Sequence, residues 1–104
     1  MQATRKLVAT LALWSVCSAG AYALDGAALY QEKICNTCHG ETGAEPILTV
    51  YPKVSGQNPQ YLLQQMKDIR DGVRTNGRAV ALKAVIGTVT DEELQAIADW
   101  LATN

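Results

Sequence analysis

The sequence predicts an all-α domain, and three observations carry that reading. Apolar residues recur at helical spacing in two stretches, Leu62, Leu63, Met66, Ile69 and Leu94, Ile97, Ala98, Leu101. A strong helix-start signal stands before each of them. Nothing in the chain shows the period-two apolar alternation of a sheet.

The elements follow in order. Asp25 is placed to cap a short helix from Gly26 to about Ile34. From His39 to Gln57 the chain reads as irregular, punctuated by Gly40, Gly43, Pro46, Pro52 and Gly56. Asn58-Pro59 supplies an N-cap followed by proline at the first helical position, and Gly72 supplies the stop of that second helix. A loop with Asn76-Gly77 comes next. Thr90-Asp91-Glu92-Glu93 then forms a capping box for a terminal helix with a single apolar stripe. Three main helices joined by loops result, with no repeat or low-complexity tract.

The 104 residues allow one folded domain, and a formal charge of −1 gives no basic footprint for nucleic acid. The N-terminus reads as a secretory signal peptide, residues 1–23. Arg5 and Lys6 precede the apolar run Leu7 to Val16, and Ala21-Tyr22-Ala23 is an A-x-A cleavage signal. The rival reading is an uncleaved anchor, because residues 7–24 carry no charge. Gly20, Ser15, Ser18, Thr10 and five alanines make that stretch a poor span, so the mature chain, 24–104, is expected to have no membrane span. Cys17 falls within the leader, and Trp14-Ser15-Val16 before it lacks the small residue that lipoprotein processing prefers. Export points to the periplasm, an oxidising compartment in which two cysteines ordinarily imply a disulfide.

The motif that remains points elsewhere. Cys35-Asn36-Thr37-Cys38-His39 has the C-x-x-C-H spacing of c-type haem attachment. Two thiols three residues apart reach the two vinyl positions on one edge of a porphyrin, and the adjacent imidazole then binds iron from the proximal side. A thioredoxin-type C-x-x-C needs a βαβ context, which is absent here. A tetrahedral zinc site needs about four ligands, and the mature chain offers three soft ones in one pentapeptide. A disulfide leaves His39, the only histidine, unexplained. That single histidine also excludes any site built from two histidines of this chain. The chain has no Phe, two Trp and four Tyr, a thin aromatic core for so small a domain, and a porphyrin would supply the missing apolar centre.

Blocks running along nearly the whole mature chain resemble the small bacterial class I cytochromes c. They are Gly26-Ala27-Ala28-Leu29-Tyr30, His39-Gly40, Tyr51-Pro52-Lys53-Val54-Ser55-Gly56-Gln57, Tyr61-Leu62-Leu63-Gln64-Gln65-Met66, Asp71-Gly72-Val73-Arg74, Thr90-Asp91-Glu92-Glu93-Leu94 and Ala98-Asp99-Trp100-Leu101. The resemblance implies a cytochrome c-like three-helix domain wrapped around one covalent haem c. It implies thioethers at Cys35 and Cys38, and His39 as proximal iron ligand. It also implies that the first helix crosses the last at Gly26, Tyr30 and Trp100, and that the Pro52 carbonyl accepts the His39 ring N–H. A loop-stiffening proline is the plainer account of Pro52.

One departure stands out. Such cytochromes place a methionine, the second axial ligand, before the last helix, and Leu82 stands at that position. Met66 belongs to an apolar stripe and reads as core packing. Lys83 reads as a solvated lysine, and Asn76 as a turn residue with Gly77. Met66, Lys83, Asn76, water or no sixth ligand all stay open. Two functions follow from this. The first is transfer of single electrons to or from a periplasmic redox protein or dehydrogenase, as a shuttle or small haem subunit and with no catalytic residue of its own. The second is binding of a diatomic gas or peroxide at an open iron position. Lys53, Lys67, Arg70, Arg74, Arg78 and Lys83 read either as a docking face or as solvated helix sides, with Arg74 and Arg78 as candidate propionate partners.

Overall fold

The computed structural model describes residues 23–104, and within them the chain forms five helices and no strand. The leader reading of residues 1–22, Cys17 included, lies outside the described residues.

The first helix, α1, spans Gly26–Glu32, and the Asp25 carboxylate accepts the Ala28 N–H at 3.1 Å as its cap. It ends earlier than the sequence suggests because Ile34 adopts φ 60°, a left-handed conformation through which no α-helix continues. That conformation is costly for a β-branched residue. Here it turns the chain directly into the one-turn helix α2, Asn36–His39, with Cys35 as its first flanking residue. Helix α3 spans Pro59–Arg70, and Asn58 Oδ1 accepts the N–H groups of Gln60 and Tyr61 at its start, as expected from Asn-Pro. Helix α5 spans Asp91–Ala102 and carries both reciprocal bonds of the Thr90/Glu93 capping box, each 3.1 Å long.

Helix α4, Ala79–Ile86, departs from the three-helix expectation, and no side-chain cap announces it. Its segment contains three alanines and no Gly or Pro, so helix formation meets no local obstacle. Its stability comes from packing. Ala79 and Ile86 are buried two turns apart and Leu82 is half-buried between them, which gives one face for α3.

Helix α5 is the centre of the domain, with α1 packed on one side and α3 on the other, while α4 packs on α3. Two apolar clusters result. One joins Leu29, Tyr30, Leu62, Ile97, Ala98 and Leu101, and the other joins Ile69, Ala79, Ile86, Val89 and Leu94. Leu63 and Met66 of α3 touch both. Burial of Leu94 and Ile97, which are 0% and 1% exposed, stabilises the fold by about 2 kcal/mol each.

The crossing of α1 over α5 is as close as backbones allow. A Cβ on Gly26 would overlap the Ala96 carbonyl oxygen and lie 2.7 Å from Trp100 Cβ. One turn further on, the rings of Tyr30 and Trp100 stack at 4.9 Å with a 48° tilt. The residues expected at this crossing are the residues found there. Lys33 also reaches Glu93 at 3.4 Å, tying the end of α1 to the start of α5.

Candidate functional site

The turn at Ile34 and helix α2 set out the C-x-x-C-H residues over one helical turn, with His39 N–H donating to the Cys35 carbonyl at 3.0 Å. Cys35 and Cys38 are free and half-buried, and Cys35 packs against the α1/α5 cluster. Burial pushes the Cys35 thiol up to about 11, so it is protonated near neutral pH and a poor nucleophile for disulfide exchange.

Two anchors fix the end of the motif. The buried Tyr30 hydroxyl donates to the Gly40 carbonyl at 2.6 Å, and burial raises its pKa to about 12, which keeps it a donor. Gly40 itself has φ 83°, and a Cβ there would overlap the Glu45 carbonyl oxygen. Only glycine lets the chain leave His39 in this direction. The following loop is tied back by Ile47 N–H to the Cys38 carbonyl at 3.1 Å.

His39 Nδ1 lies 2.9 Å from the Pro52 carbonyl oxygen. A carbonyl only accepts, so Nδ1 carries the proton and Nε2 keeps its lone pair for a metal. The expected partner of the ring is therefore the one found, and the plainer stiffening role of Pro52 is not the whole account. Tyr51, next to this proline, presents its ring edge-on to His39 at 6.5 Å, and the Arg78 guanidinium lies 5.8 Å from the Tyr51 ring centroid. Sequence reasoning did not single out Tyr51 for this role. Its place beside Pro52 was the available signal.

The remaining candidates separate. Arg74 is held by Gln65 Oε1 at 3.0 Å and Asn76 Oδ1 at 3.1 Å, which also occupies Asn76. Lys67 and Arg70 pair with Asp91 at 3.6 and 2.6 Å, so both belong to the α3–α5 junction. Met66 sits in the seam between the two clusters, half-buried, and Leu82 packs on the second. The Lys83 ammonium is directed to the end of α3, where a Cβ on Gly72 would lie 2.9 Å from its Nζ.

The donor set fits a haem. It offers two free thiols one helical turn apart, one imidazole nitrogen with its lone pair available, and half-covered apolar side chains at Leu63, Met66 and Leu82. A helical domain organised around such a pentapeptide defines a c-type cytochrome. The family model described as cytochrome C oxidase, cbb3-type, subunit III matches residues 21–101, and the chain belongs to this family of cytochrome c domains. It is 36% identical over 100 residues to cytochrome c4 of Pseudomonas aeruginosa, covering 94% of the chain but 48% of that relative. It is 33% identical to cytochrome c-553 of Nitratidesulfovibrio vulgaris, covering 88% of the chain and 94% of the relative. A thiosulfate dehydrogenase electron acceptor of Stutzerimonas stutzeri is 32% identical over 65% of the chain and 31% of its own length. The chain thus spans about half of the cytochrome c4 and nearly all of the cytochrome c-553. Its cofactor is one covalently bound haem c.

Proposed function

We propose that the chain is an exported, non-enzymatic one-electron carrier, with its haem held by thioethers at Cys35 and Cys38 and ligated by His39. The bond from His39 Nδ1–H to the Pro52 carbonyl at 2.9 Å carries the reading, because it aims one defined imidazole nitrogen and raises its donor strength. When bound, the haem supplies reversible one-electron chemistry at iron. The chain supplies the rest. Helix α2 sets the thiol spacing, Tyr30 and Gly40 fix the exit from His39, and Tyr51 braces the imidazole against tilting. No second histidine exists to act as acid or base, which favours transfer over catalysis.

The order of charge, apolar run and A-x-A signal in residues 1–23 supports cleavage after Ala23 and a periplasmic location. Among the described residues, no helix is long and apolar enough to cross a membrane. Relatives named as electron acceptors of thiosulfate dehydrogenase support a partner of the same kind, an exported dehydrogenase or another periplasmic redox protein. Lys53 and Arg78, exposed and outside the ion pairs of the described residues, are the charges to test for docking.

A denaturing gel stained for haem, with a pyridine haemochrome spectrum, tests the attachment. The wild-type band retains haem, Cys35→Ala and Cys38→Ala each show the spectrum of a single thioether, and the double variant loses covalent haem. Release of wild-type haem by acidified organic solvent overturns the thioether assignment. N-terminal sequencing of the exported protein is expected to begin at Leu24, and any other start overturns the cleavage site.

A further inference from the structure

We infer that Asn76 is a site of self-modification, where the folded chain converts the side-chain amide to a carboxylate with Arg74 as the assisting donor. The site lies in the turn that leads into α4 and requires no haem.

An asparagine followed by glycine carries its own nucleophile. The Gly77 backbone nitrogen and Asn76 Cγ belong to neighbouring residues, so attack closes a succinimide ring without any encounter step. The turn favours that attack. Gly77 has φ 57°, and nothing lies within 4 Å of where its Cβ would stand, which leaves room beside the reacting nitrogen. Among the described residues, neither the Gly77 N–H nor the Asn76 side-chain NH2 donates to a protein acceptor. Arg74 Nε donates to Asn76 Oδ1 at 3.1 Å, and this is the oxygen on which negative charge collects during attack. The half-buried guanidinium is also held by Gln65 Oε1 at 3.0 Å, so it is in place before the step begins.

Attack forms the bond from Gly77 N to Asn76 Cγ, and the Gly77 N–H proton goes to hydroxide. The Cγ–Nδ2 bond then breaks, and the nitrogen takes a proton from water and leaves as ammonia. Water next opens the ring. Entry at Cγ gives aspartate, and entry at the backbone carbonyl carbon gives isoaspartate, whose main chain runs through Cβ and Cγ. Amide and water become acid and ammonia, with no oxidant or reductant.

Asn36 and Asn58 supply the contrast. Asn58 precedes Pro59, which has no N–H to react. Asn36 precedes Thr37, whose N–H donates to the Ile34 carbonyl at 3.0 Å. At Asn76 the product carries a new negative charge two residues before Arg78, the exposed guanidinium named above for docking. As isoaspartate it also displaces the carbonyl that accepts the Ala79 N–H at 3.1 Å, at a helix start with no side-chain cap. Loss of ammonia makes both changes one-way.

The test follows the full haem-loaded chain in mildly alkaline buffer, by peptide mapping with mass spectrometry and by an isoaspartate-specific methyltransferase. Acid is expected to accumulate at Asn76 at least as fast as in the same chain unfolded in urea, while Asn36 and Asn58 keep their amides. Arg74→Met is expected to slow the folded reaction about fivefold or more, the size of one charge-assisted hydrogen bond in partial contact with water. Its rate in urea should match the wild type. Arg74→Lys keeps the charge and loses the planar fork shared by Gln65 and Asn76, so it repeats the comparison with less risk to the fold. A folded wild type that keeps the Asn76 amide while the urea-unfolded chain loses it overturns the inference. Folded Arg74 variants of native helix content that react at the wild-type rate or faster overturn the role of Arg74.

Discussion

The two flanks of α5 are built by opposite means. On the α1 flank, geometry is set by close and specific contacts: Gly26 against a backbone carbonyl, Tyr30 between Trp100 and Gly40, and a left-handed turn at Ile34 feeding the cysteines. On the α3–α4 flank, an aliphatic cluster does the work, and α4 leaves Val80 62% and Val85 38% exposed. Rigid placement is concentrated where a covalent attachment and an aimed imidazole need it. The α4 flank relies on aliphatic packing, with Leu82 half-buried in it.

The largest expected effect tests the aliphatic flank. Leu94 is fully buried, so Leu94→Ala should cost about 3 kcal/mol by denaturant unfolding of the haem-loaded chain. Leu82 is only half-buried, and Leu82→Ala should cost about 1 kcal/mol. Equal losses would mean that α4 is as tightly specified as the rest, and the contrast between the flanks would be lost.

Gly26→Ala comes next. Alanine gains about 1 kcal/mol over glycine in a helix, so propensity alone predicts a more stable protein. The new methyl would overlap a backbone oxygen that cannot rotate away, and the net effect should be a loss of about 2 kcal/mol as α1 and α5 separate. A neutral or stabilising Gly26→Ala in thermal unfolding removes the claim that this crossing is at backbone contact. Tyr30→Phe is milder. It leaves the Gly40 carbonyl without its donor at 2.6 Å and should cost about 1 kcal/mol. The same variant should broaden the His39 imidazole signals in the reduced haem-loaded chain, because Gly40 follows His39 directly. Unchanged signals would reduce Tyr30 to a core ring.

What the sequence made legible tracks this division. Caps and stripes are local chemistry, and Asp25, Asn58-Pro59, Thr90 with Glu93, and the Leu94 stripe all sit where their side chains predict. The pentapeptide is equally local. The bond between His39 and Pro52 joins residues 13 apart through an irregular loop, and only the resemblance supplied it. Helix α4 was not legible because no cap precedes it and its two outer valines blur the periodicity, so tertiary packing decides it. The left-handed Ile34 runs against residue preference and has no sequence signal. The direction of Lys83 was also out of reach, since it depends on α4 lying over the end of α3.

The smallest expected effect is electrostatic and separates the flanks by pH. Arg70 hydrogen bonds hold Asp71 and Asp91 below the usual carboxylate range. The Thr90 backbone N–H, followed by Lys33, does the same for Glu93. A carboxylate with a lowered folded pKa contributes stability that is fully present above its unfolded pKa and lost as pH falls through the folded one. The Tm should therefore be flat above roughly pH 5 and decline towards and below roughly pH 3. Asp71 and Asp91 face solvent and Glu93 is half-buried, so the total is modest and the Arg70 part should shrink in high salt. Arg70→Met removes the α3 part and Glu93→Gln the α1 part, where the partner is a fixed backbone N–H that salt screens less. An acid slope that survives in Arg70→Met and vanishes in Glu93→Gln would place the pH sensitivity on the rigid α1 flank. The reverse result would place it on the α3–α4 flank, where Lys67 and Arg70 of α3 both reach Asp91 and Arg70 lies closer.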